Sequence, residues 1–156
     1  MTLIKDTLTF NFEKFMDQES SNFISFPKDN NETAESWANA VNEYAKLVIP
    51  SSVSGELAKQ EFKKIFLGIS ADLGNGDIII KSSFTIYAST LAIGMTAGGF
   101  TGTPPPAPID FSPIYPVGLG GASNKICMDL MINIIDVWFR TGTAVPISGG
   151  SLINWN

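Results

Sequence analysis

Apolar side chains recur at helical spacing through much of the first hundred residues. Ala34, Trp37, Ala38, Val41, Ala45 and Val48 follow i, i+3, i+4, i+7 steps after Asn30 and Asn31, which places them on one face of a helix that Pro50 ends. Ser51 to Ser54 supplies capping hydroxyls for a second helix lined by Leu57, Ala58, Phe62, Ile65, Phe66 and Ile69. The short connection makes these two antiparallel neighbours. Turn residues from Asp72 to Asp77 then lead into a third helix with Ile80, Phe84, Tyr87, Ala88, Leu91 and Met95 as its stripe, although Ile78, Ile79 and Ile80 also suit a strand. A fourth helix, near Ala122 to Arg140, is apolar on more than one face through Ile126, Cys127, Leu130, Met131, Ile134, Ile135, Trp138 and Phe139. Such a helix is expected to be buried.

The remaining segments carry a different pattern. Leu8, Phe10 and Phe12 alternate with polar neighbours, the period of a half-buried strand, within an N-terminal arm whose later Phe15, Met16, Phe23, Ile24 and Phe26 blur the pattern and leave helix open. Residues 94–121 are rich in Gly and Pro yet hold Phe100, Ile109, Phe111, Ile114, Tyr115, Val117 and Leu119, so burial on the chain's own helices or on a partner should order them. The expected architecture is mainly α. It is one domain, 1–156, with an arm at 1–30, helices one to three at 31–97 and a Gly/Pro-rich connection at 98–121. A buried helix at 122–141 and a tail at 142–156 complete it. The tripeptide Thr-Gly-Thr follows a helix at both Thr101 and Thr141, hinting at two similar helical hairpins with extended tails.

Charge sharpens this picture. Residues 1–81 hold 12 acidic and 8 basic side chains; residues 82–156 hold only Asp110, Asp129, Asp136, Lys125 and Arg140. With 16% charged residues against 44% hydrophobic, and a mean hydropathy of +0.16, something other than water is expected to face part of the chain. A net charge of −5 argues against nucleic acid, whose phosphates are met by clustered Lys and Arg. The first residues lack the apolar core of a secretory signal, so folding in a cytoplasm is expected. Residues 82–109 carry no charge but too many Ser, Thr, Gly and Pro for a bilayer-spanning segment, so no membrane contact is expected.

Catalytic chemistry finds little support. The chain has no histidine and one cysteine, Cys127, which leaves neither an intrachain disulfide nor a Cys/His zinc set. Asp129 and Asp136 lie about two turns apart on one helix and read as a polar seam rather than as an acid/base pair. Gly118 to Gly121 before Lys125 lacks the strand and the Ser/Thr of a phosphate loop, and Asp72 to Asp77 is out of phase with a calcium loop. Neither an enzyme nor a cofactor site is expected. Pro104, Pro105, Pro106 and Pro108 should form an extended strut with no basic flank to orient an SH3-like groove.

The stretches Trp37 to Ala45 (WANAVNEYA), Tyr87 to Met95 (YASTLAIGM), Thr101 to Pro108 (TGTPPPAP), Asp136 to Thr143 (DVWFRTGT) and Ile153 to Trp155 (INW) come in an order that resembles uncharacterised small virion proteins of tailed bacteriophages. The resemblance implies a structural subunit of a virion, made in a host cytoplasm and contacting other copies of itself and other proteins of the particle. It carries no site residues. The residues themselves nominate an interface of Phe100, Pro104, Pro105, Pro106, Pro108, Phe111, Tyr115, Ile153 and Trp155. Of these, Trp155 is the expected anchor for a partner that covers the tail. The competing readings are a soluble adaptor that uses the Pro-rich loop as its ligand surface and a small membrane pore.

Overall fold

A computed structural model describes residues 2–68 and 76–156. The protein is mainly helical, with six α-helices and a small three-stranded sheet among the described residues. In chain order these are α1 (Lys5–Met16), α2 (Asn30–Ala45), α3 (Gly55–Phe66), α4 (Gly76–Gly94, continued by a 3-10 turn to Gly98), β1 (Phe100–Thr103), α5 (Ile114–Leu119), α6 (Asn124–Phe139), β2 (Thr143–Pro146) and β3 (Ile153–Asn154).

The N-terminal segment, open to strand or helix in the sequence, is a helix. Leu8, Phe12 and Phe15 are buried at i, i+4, i+7, and Phe10, counted in the alternation, is exposed beneath the Lys14 ammonium at 4.2 Å. Leu8 and Phe12 fit both the strand and the helix period, whereas Phe10 fits only the strand. Asp6 in the first turn and Lys14 in the last complement the helix dipole. This segment packs on α2 and α6, so Leu3, Leu8, Phe12 and Phe15 of the arm belong to the core of this chain.

Asp29 caps α2 by accepting from the Glu32 amide at 2.8 Å, while the Glu32 carboxylate accepts from the Lys28 amide at 2.8 Å. Its small buried residues Ala34, Ala38, Val41 and Ala45 let neighbours approach closely. No serine side chain caps α3. Ser52 instead donates to the Leu91 carbonyl at 2.8 Å, and Leu57, placed in the stripe, is exposed. Ile69 and positions 72–75 of the expected turn lie outside the described residues. Ile78 to Ile80 are helical, with Phe84, Tyr87, Ala88, Leu91 and Met95 buried. Phe84 sits between α3 and α6, its ring 5.2 Å from Phe62 and 6.0 Å from Trp138.

The 98–121 connection is not a plain loop, for it contains β1 and α5. Nor do the Thr-Gly-Thr tripeptides mark two similar tails: they meet each other, with Thr103 opposite Thr143 in the antiparallel β1–β2 pair. β3 adds to β2 through Thr143↔Asn154 and Ala144↔Ile153. The tail is therefore the centre and edge of a sheet. A Cβ on Gly142 would overlap the Trp155 ring, and one on Gly102 would come within 2.6 Å of the Ala92 carbonyl oxygen. Glycine at both positions permits these close approaches.

Candidate docking surface

The nominated interface residues divide. Trp155, the expected anchor, is buried within the chain at 1% exposure, and its indole donates to the Thr143 carbonyl at 3.0 Å. Phe111 is buried too, 5.7 Å from the Phe84 ring. Both correct the expectation: their burial is supplied by this chain's own helices and turns. Phe100, Pro104 and Pro105 are half-buried, whereas Pro106, Pro108, Tyr115 and Ile153 are exposed. The Pro-rich strut is held inward, since the Trp138 indole donates to the Ala107 carbonyl at 2.7 Å.

Residues beyond that set join Pro108 and Ile153 in the exposed surface. Ile78 and Ile93 on the outer side of α4 are exposed, and Ile65, Ile86, Ser89 and Pro108 line a groove of about 520 Å³ beside them. The α4 hydroxyls turn back into their own helix: Ser82 donates to the Ile78 carbonyl at 2.8 Å and Thr85 to the Lys81 carbonyl at 2.9 Å. With their donors satisfied, they show carbon as much as oxygen to a neighbour. The sheet adds Val145 and Ile153, and the connection between β2 and β3 adds Ile147 and Leu152. The sequence signal for the α4 face was the spacing Ile78, Ile86, Ile93 opposite the stripe, easily overlooked in a helix judged by its better face.

Electrostatics make this half of the surface nearly neutral. Lys125 pairs with Asp129 at 3.1 Å, Arg140 with Asp136 at 3.0 Å, and Asp110 lies 3.9 Å from Lys81, which also pairs with Asp77 at 2.8 Å. All five charges of residues 82–156 thus have an opposite partner. The Ser112 backbone and hydroxyl hold the Asp110 carboxyl below its usual range, and the bond to Asp77 raises Lys81.

Asp129 and Asp136 do not form one polar seam: the first is exposed, the second buried. The Asp136 carboxylate accepts from the Tyr44 hydroxyl at 2.7 Å and from Arg140 at 3.0 and 3.1 Å. Arg140 also donates to the Leu3 carbonyl at 2.7 Å and to the Asn156 side chain at 3.0 Å, so this node ties distant parts of the sequence to α6. Burial, then the bond to Asp136, pushes the Tyr44 phenol far above its usual 10.0, and burial does the same to Tyr87, whose hydroxyl donates to Asn42 at 2.8 Å. These are interlocked structural bonds.

One helical stretch among the described residues, Gly76–Gly98, is long and apolar enough to cross a membrane, and half of it is buried inside the fold. No family model, curated protein or solved structure matches the chain.

Proposed function

We propose that this protein is a non-enzymatic structural subunit of a multi-protein particle, with a virion of the tailed-bacteriophage kind as the setting that its sequence resemblance favours. The observation that carries the reading is the neutral, partly apolar surface of residues 82–156, where each charge is paired and Ile78, Ile93, Ile147 and Leu152 face outward beside it. Exposed apolar surface is tolerated singly on monomers, but when it lines grooves it marks interaction sites. The experiment is electron cryomicroscopy of assemblies formed by the purified chain or containing it. An ordered particle with the α4 face or the sheet at its contacts supports the reading. A chain that stays monomeric at all concentrations, and from which no particle is recovered, refutes it.

The adaptor reading has less behind it. A proline strut whose Ala107 carbonyl is already taken by Trp138 has fewer groups to offer a groove.

A further inference from the structure

Among the described residues, Leu119 is the most exposed large apolar side chain, with 90% of its surface open. It is held there by structure. The end of α5 is closed by backbone bonds from Gly120 to the Pro116 carbonyl, from Gly121 to the Gly118 carbonyl and from Ala122 to the Val117 carbonyl, at 3.0, 3.1 and 3.3 Å. Gly118, Gly120 and Gly121 surround Leu119, so no neighbouring side chain would keep an approaching surface away from it. Beside this knob lies a groove of about 360 Å³ lined by Phe15, Met16, Phe26, Cys127, Met128 and Met131. Gly118 adjoins the groove wall, since a Cβ there would lie 3.8 Å from the Cys127 sulfur.

We propose that this corner is a two-fold contact between copies of the chain, in which Leu119 of each copy enters the apolar groove of the other. Shape selects a second copy as the occupant: a knob beside a hole is self-complementary under two-fold rotation, which satisfies both at once. Charge selects it as well. Copies carrying −5 each repel, but no charged residue lines the groove or occurs from Phe111 to Asn124. A neighbouring cleft is lined by Lys125 as well as by Asp17 and Glu19, so the charged border of this corner is of mixed sign. The three methionines give a soft wall that adapts to an entering side chain. The choice of a copy as occupant rests on the assembly reading and names one of its contacts.

The test uses the full chain in sedimentation equilibrium, alongside the rate at which iodoacetamide alkylates Cys127, the only cysteine. Leu119 is so exposed that Leu119→Asp leaves the fold intact, which circular dichroism checks. The wild-type chain should self-associate and its Cys127 alkylation should slow with rising protein concentration. Leu119→Asp should weaken association roughly tenfold or more and abolish that slowing. Association of unchanged strength in Leu119→Asp overturns this contact while leaving the assembly reading in place. A wild-type chain that is monomeric throughout, with alkylation independent of concentration, overturns this contact, and the assembly reading falls with it when no particle containing the chain is recovered either.

Discussion

The glycines of the two Thr-Gly-Thr tripeptides show how much a single hydrogen atom can matter. Gly142→Ala drives a methyl group into the Trp155 ring, and Gly102→Ala drives one into the backbone of α4 at Ala92. Each should cost about 1–3 kcal/mol in denaturant titration, as overpacking does. Gly76→Ala meets nothing within 4 Å and should be neutral or stabilising by up to about 1 kcal/mol. Asp136→Ala strands Tyr44 and Arg140. Because Arg140 keeps part of its side chain in water, the loss should be about 2–3 kcal/mol rather than that of a fully buried pair. The tyrosines set an alkaline limit. Their folded pKa values lie above the unfolded value of 10.0, so above that pH the unfolded chain binds fewer protons than the folded one. Stability should be intact below pH 10 and fall as pH rises beyond it. Tyr87→Phe should flatten that fall in thermal melts recorded between about pH 9 and 11; a slope unchanged by it would assign the effect elsewhere. Glu35 has the opposite sign. Its bond from Lys63 at 2.6 Å lowers its pKa, and this small, solvent-screened contribution disappears in acid.

Among the elements, α6 illustrates the difference between an apolar helix and a buried one. Met128, Met131, Ile132, Ile135 and Phe139 are buried, while Ile126 and Val137 are exposed and Leu130 and Ile134 only half covered. Ile135→Ala should therefore cost about 2–5 kcal/mol and Phe139→Ala about 3–5 kcal/mol. Val137→Thr should stay within about 0.5 kcal/mol in the same assay. The tail behaves likewise. Deleting residues 143–156 removes β2, β3 and Trp155, uncovers Gly142 and takes away the Asn156 backbone pairing with Ile49 at 2.8 and 3.1 Å. The truncated chain should lose cooperative thermal unfolding by circular dichroism. A truncated chain that melts like the full one would return the tail to the role of an exchangeable arm.

For the whole molecule, the uneven charge becomes a polarity of surface. The first half keeps most charges in water, as in Glu35 with Lys59 and Lys63; the second presents a neutral side with paired charges. If copies meet through that neutral side, net repulsion of like-charged chains opposes association and salt screens it. Light scattering should then show association strengthening from about 0.01 M to about 0.15 M salt. Weakening over that range would instead mean that ion pairs hold the copies together.

Helices α2, α3, α4 and α6 were legible in the sequence because apolar side chains recur at helical spacing between breakers, whereas the six residues of α5 lay hidden in the Gly/Pro-rich connection. Ala34, Ala38, Val41, Phe62, Phe84, Tyr87 and Leu91 are buried where the 3.6-residue period puts them. The scarcity of charge after Lys81 was equally plain. Local pattern could not choose between strand and helix for Leu8, Phe10 and Phe12, since both periods share two of the three; contact with α2 and α6 decided it. Nor could it tell whether Phe111 and Trp155 seek a partner chain or their own. An uncharged, Gly-rich segment is compatible with either, and the choice depends on whether distant residues leave a space of the right shape. Gly142, lying flat against the Trp155 ring, and Thr103, opposite Thr143, make that space within the chain. The surface left for a partner is then whatever this internal pairing does not use: Leu119, Ile93, Ile147 and their neighbours.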